Sequence, residues 1–234
     1  MSKIYGHKIW AKSGQTDRAA TVIANLHDRK NISFSIIGDK FGMTPINVTR
    51  YYRAFKALEQ MKNDEEYGQY ANPKFFTLFE EMIKKTVLKE WLGWREQTFK
   101  FDNIINLHEI YKMILCGEKN IESELRRKNG ITNPGDMRNF AALKEYEVSG
   151  KDNLYFSKVV NDELDTETAL HLLKRNQDVS DWNNEAQNFL ETLNQIPRKK
   201  LLNFTLAEIQ LIDKIINELK SLRDDVQRVN PDLA

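Results

Sequence analysis

The sequence predicts an all-α protein. Three observations predict it. Apolar residues recur at spacings of three and four along nearly the whole chain after residue 15. Gly and Pro, 10 and 5 of 234 residues, are sparse and fall mostly between these periodic segments. No alternating pattern longer than four residues marks a strand. With 41% hydrophobic and 29% charged residues, the chain can bury a substantial core in one or two domains.

The elements follow in order. Thr16 to Asp28 carries Ala19, Ala20, Val22, Ile23 and Leu26 as a helical stripe, with Thr16 or Asp17 as its cap. Asn31 breaks it, and Ser33 caps the next helix. Residues 33–53, SFSIIGDKFGMTPINVTRYYR, then read as a helix–turn–helix. A small residue at Gly38 lets two helices approach. Gly42 supplies the positive φ that ends the first of them. Thr44 caps the second, and Pro45 occupies its first turn, where a missing N–H costs nothing. Ile37, Phe41, Met43, Val48 and Tyr51 hold the positions this geometry turns inward. An ordinary helical hairpin with a glycine turn shares the glycine spacing but does not require all five. The second helix continues through Phe55, Leu58 and Met61 to about Asn63.

Residues 63–73 are a linker-like break. Pro73 to Lys85 reads as a helix with Phe75, Phe76, Phe79, Met82 and Ile83 inward, and residues 88–94 as a short helix ended by Gly93. Thr98 to Phe101 reads as a brief extended piece. Asp102 is placed to cap a helix that Gly117 stops, and Ile121 to Arg127 is a further short helix. Asn133-Pro134-Gly135 breaks the chain, with Asp136 as the following cap. Residues 148–153 break it again. Asp165 caps a helix over Thr166–Lys174, and two more helices are expected over 180–195 and 204–229. The division is an N-terminal arm (1–15), a helix–turn–helix region (16–63), a helical domain (64–175) and a C-terminal helical hairpin (176–234). The Ile/Leu stripe of that hairpin makes a homodimer through the C-terminal helices one expectation, and closure of its own domain the other.

Charge points to the partner. Residues 1–62 hold 11 Lys/Arg and 4 Asp/Glu, a net of +7, whereas residues 63–234 hold 24 and 30, a net of −6. A basic first quarter around a recognition helix is the electrostatic footprint of a phosphate-binding surface. The expected partner is double-stranded DNA. With Val48 and Tyr51 inward, Thr49, Arg50 and Arg53 face away from the core, and Asn47 lies at the edge. Arg reads guanine bidentately and Asn reads adenine. Thr44 completes this set, and Ile46 is placed to meet a thymine methyl. Lys40 and Lys56, with Lys12 and Arg18 further out, are phosphate contacts that position without specifying sequence.

No chemistry-bearing constellation stands out. His7, His27, His108 and His171 show no zinc spacing, and Cys116 is alone. Trp91, Trp94, Phe99 and Phe101 form an aromatic cluster, read as core rather than as a base-stacking platform. No phosphate-cradling glycine loop occurs. The expectation is no enzyme activity and no cofactor. The absence of a signal-peptide pattern and of a long apolar run gives a cytoplasmic protein with no membrane partner as the expectation.

RYYRAFKALEQMKNDEEYG (50–68), FEE (79–81), EWLGW (90–94) and ITNPGDMR (131–138) together resemble the region downstream of the ParB/sulfiredoxin-type domain in ParB-like proteins. The resemblance covers about residues 16–140. It implies DNA binding for transcription regulation or plasmid partition, without nucleotide chemistry. The N-terminal ParB/sulfiredoxin-like domain of such proteins is not matched, and this chain begins where that domain would end. Two rivals are a helical protein-interaction or scaffold module, and the non-catalytic part of a ParB-like nuclease or nucleotide-dependent switch.

Overall fold

Local signals shape the first three helices. The computed structural model describes residues 16–119, 121–151 and 154–230; the expected arm 1–15, with Lys12, lies outside them. Helix α1 runs Thr16–Lys30, α2 Phe34–Phe41 and α3 Pro45–Lys62. The Ser33 hydroxyl caps α2, accepting from the Ile36 N–H. Gly42 ends α2 at φ 66°, and the Met43 N–H closes the turn on the Gly38 carbonyl at 2.9 Å. A Cβ on Gly38 would stand 2.6 Å from the Met43 carbonyl oxygen, so only glycine fits where the turn folds back. Thr44 caps α3 through the Asn47 N–H, Pro45 opens it, and Asn63 closes it, each as the sequence predicts. Ile37, Val48 and Ile23 are fully buried, and Tyr52 is buried with them; Phe41, Met43 and Tyr51 pack partly buried around them.

Past its first turns α3 enters the main core. Ala54 and Ala57 are fully buried, small enough for neighbouring helices to pack closely, and Met61 lies beneath them. A 3-10 turn at Pro73–Phe75 leads into α4 (Phe76–Lys84), then α5 (Thr86–Trp91). Gly93, at φ 67°, turns the chain into a two-stranded antiparallel hairpin, β1 (Trp94–Arg95) and β2 (Lys100–Phe101), in register Trp94↔Phe101. The Gln60 side-chain amide brackets Phe101, donating to its carbonyl and accepting from its N–H, both at 2.8 Å. Helix α6 (Ile104–Ile114), α7 (Pro134–Val148) and α8 (Leu154–Val160) complete this part. Phe79, Met82, Leu92, Tyr111 and Phe140 lie at its centre, fully buried.

Four local readings need correction. Asn103, not Asp102, caps α6, because the Asn103 side chain accepts from the Asn106 N–H while Asp102 pairs with Arg95. Residues 121–127 hold a 3-10 turn at Ser123–Leu125 rather than a helix. Asn133 is the cap of α7, and Asp136 is the reciprocal partner of a capping box. Helix α9 (Thr166–Asn194) is continuous where a break before residue 180 was expected, since its sequence contains neither Gly nor Pro. Asp165 caps it as predicted. The short helix α10 (Arg198–Leu201) and the long α11 (Leu206–Val229), opened by a Thr205–Glu208 capping box, follow.

The protein is all-α: helices dominate, and the two-residue strands are the whole of the sheet structure among the described residues. Backbone contacts divide the chain into two units, 1–176 and 177–234. The first holds every buried residue. In the second, no described residue is buried. Among the described residues, no helix is long and apolar enough to cross a membrane.

Candidate nucleic-acid interface

The tight turn leaves the N-terminal end of α3 in solvent. Pro45 and Ile46 are exposed, Ile46 at 77%, because the chain has only just left the turn and no described residue covers them. Asn47 is half-buried, and its side chain has no hydrogen-bond partner among the described residues. The Thr44 hydroxyl accepts the cap bond from the Asn47 N–H and the Thr49 hydroxyl donates to the Pro45 carbonyl at 2.8 Å. Lys40, in the last turn of α2, is exposed with no ion-pair partner among the described residues.

Arg18 is exposed on α1, but the remaining predicted contacts, Arg50, Arg53 and Lys56, are already engaged. The sequence sets Arg50 on the outward face, yet its side chain is only 28% exposed and its Nε lies 3.1 Å from Glu80 Oε1 on α4. Lys84 reaches the same Glu80 oxygen at 3.3 Å, while Glu81 takes Lys84 and Arg138. Arg53 donates through Nε to Glu96 Oε1 at 2.7 Å, with its Nη2 at 2.5 Å from the same oxygen. Glu96 belongs to the hairpin segment and also accepts from the Trp94 indole N–H. Lys56 bridges Asp28, at 2.7 Å, and Glu59, at 3.1 Å.

Asp28 is the hub of that last group, since the Tyr52 hydroxyl donates to it at 2.7 Å. Burial pushes the Asp28 carboxyl up, but the bonds from Lys56 and Tyr52 outweigh it and hold it below the usual carboxylate value. Burial lowers the Lys56 ammonium, and its two carboxylate partners more than reverse this. Burial raises the Tyr52 hydroxyl, and the bond to Asp28 adds to it. The lysine read as a phosphate contact is thus held in a satisfied ionic group.

Spacing explains why sequence reading misses these acids. Glu80 and Glu96 lie far along the chain from Arg50 and Arg53, and only the tertiary fold brings them together. The FEE and EWLGW phrases are the nearest sequence signal, since they flank this contact.

The aromatic cluster is core. Phe101 is fully buried, Trp94 packs on it at 4.8 Å, and Trp91 stacks edge-on against Phe140 and Phe156. Phe99, at φ 52°, sits edge-on to Tyr52. A cleft of about 650 Å³ runs between α3 and the hairpin, lined by Lys56, Gln60, Asn63, Phe99 and Lys100 among others. His108 is half-buried: its Nε2 lies 2.9 Å from Asp64 Oδ2, and its ring packs against Tyr67. Cys116 is half-buried, with its thiol donating to the Arg127 carbonyl and pushed up by burial. Among the described residues, no three His, Cys, Asp or Glu side chains converge as a metal site would need.

Comparison with protein-family models, with curated proteins and with solved structures returns no match for this chain.

Proposed function

We propose that the chain is a duplex-DNA-binding protein of ParB-like type, in which α2, the turn and α3 act as a helix–turn–helix. The N-terminal end of α3 enters the major groove, and the use is regulation or DNA segregation. One observation carries this reading. Gly38 and Gly42 build a turn that fixes α3 against α2 while leaving its first turn bare. That is how such units present base-contacting residues. The +7 charge of residues 1–62 supports it, and Lys40 supplies an exposed cation beside the turn, with no ion-pair partner among the described residues. The C-terminal helices are assigned the pairing of two copies.

A protein-interaction module is the second reading, and one observation favours it. Arg50, Arg53 and Lys56 already hold carboxylate partners. A salt titration separates the two. Bound lysines and arginines release counterions from DNA, so a protein making about three or four phosphate contacts loses roughly a hundredfold in affinity over a fourfold rise in salt. That steep loss is the expected result. No measurable binding of any duplex at low salt excludes the DNA reading.

A further inference from the structure

The first two turns of α3 offer few free groups to a base edge. Thr44 and Thr49 are bonded to their own backbone. Arg53 directs its Nε and Nη2 at Glu96, which occupies the fork that would otherwise read guanine O6 and N7. Arg50 lies against Glu80 and is half-buried. What remains at the tip is Ile46, 77% exposed at the second position of the helix, with the Pro45 ring before it and the Asn47 amide after it. Ile46 is not among the buried or partly buried residues that hold α2 and α3 together. An aliphatic side chain in that place does nothing for the fold that a polar one would not do.

In the major groove one base presents an apolar group, the C5-methyl of thymine. Its partner adenine presents the donor and acceptor pair that an Asn or Gln amide matches. An exposed isoleucine followed by an asparagine whose amide has no partner among the described residues fits an A·T pair, and the engaged arginines leave guanine unread. Resting on the DNA-binding reading above, we infer that Ile46 is the specificity-determining residue and reads a thymine methyl, with Asn47 at the adjacent adenine. The half-site is A·T at its centre. Lys40, exposed on α2, favours a polyanionic occupant of this tip over an apolar protein surface.

The test begins with duplexes enriched from a random pool by the full chain. Each thymine of the enriched site is then replaced by deoxyuridine, which removes only the methyl. Binding is measured for the wild type and for Ile46→Ala, whose exposed side chain leaves the fold intact; thermal melting checks this. The expected result is an A·T centre at which loss of one methyl weakens the wild type by about three- to fivefold, the worth of one buried methyl. Ile46→Ala then binds thymine and uracil duplexes alike. A G·C centre overturns the inference and leaves the DNA reading standing, as does an equal uracil penalty in both proteins. Failure to bind or enrich any duplex overturns the DNA reading and this inference with it.

Discussion

Asp64 shows how one side chain organises the break after α3. Its Oδ1 accepts from the backbone N–H groups of Glu66 and Tyr67, both at 3.0 Å, and its Oδ2 faces His108 Nε2 at 2.9 Å. Burial alone would push this carboxyl up; the Tyr67 N–H, His108 and the Glu66 N–H together hold it below its ordinary value. A group whose folded pKa is depressed stabilises the fold above its unfolded value, about 3.9 for Asp. That contribution is lost as pH falls through the folded pKa. Asp64→Asn should therefore cost about 1–3 kcal/mol near neutral pH, the range for disturbing a partly buried charged hydrogen-bond group. The gap to wild type should close below about pH 3.9. Urea unfolding at neutral and acid pH measures both, and a gap that stays constant with pH would show that the charge of Asp64 does no stabilising. The sequence shows residues 63–73 as a break. It does not show that Asp64 and His108, distant in the chain, meet across it.

At the scale of elements, features that act within four residues were legible and those that act across the fold were not. Ser33, Gly42, Thr44 with Pro45, Asn63 and Asp165 end or open helices through bonds to their immediate neighbours, so their residue types announce them. The choice between Asn133 and Asp136 was less legible, because both side chains join one capping box and either type can occupy the cap. The facing of Arg50 was not legible, since helical periodicity gives the face and not the reach of a guanidinium toward Glu80. The hairpin segment is the main case. It sets Glu96 against Arg53, an ion pair in which the carboxylate is 47% exposed, so its intrinsic worth is small. Its effect on a polyanion is not small, because DNA must displace a carboxylate to use that arginine. Glu96→Gln is expected to raise affinity for duplex DNA about three- to tenfold at low salt while changing stability by less than about 1 kcal/mol. Arg53→Ala should cancel the gain. Filter binding of the two single variants and the double variant reads this coupling. Equal affinities for Glu96→Gln and wild type would mean that Arg53 takes no part in binding.

The whole molecule poses a problem that its first unit solves and its second does not. Residues up to Asn176 enclose a core of fully buried aromatic and aliphatic side chains, whereas no described residue from Gln177 onward is buried. Yet the second unit is not polar. Along the end of α9, Val179, Trp182, Ala186, Phe189, Leu193 and the following Ile196 alternate spacings of three and four. Ile209, Ile212, Ile216 and Leu219 on α11 do the same. This is the seam pattern of packed helices. Trp182, Phe189, Leu193, Ile209, Ile212, Ile216, Leu219 and Val226 remain between 40% and 54% exposed. Together they leave a large apolar surface in water, of the kind a stable interface buries. No described residue of this unit buries the seam, and a second copy brings two more helices with the same pattern. The acidic excess of residues 177–234, ten Asp/Glu against seven Lys/Arg, disfavours an anionic lipid surface in its place. The expected outcome is a dimer in sedimentation equilibrium at micromolar concentration. Ile216→Glu with Leu219→Glu should shift it to monomer, because burying two unpaired carboxylates opposes association. On the proposed DNA-binding reading a dimer grips two half-sites at once, so the same variant should lose about a hundredfold or more in affinity for a two-half-site duplex and nearly none for a single half-site. A variant that stays dimeric would place the interface elsewhere. A wild type that is monomeric at all concentrations would mean that another partner covers the seam.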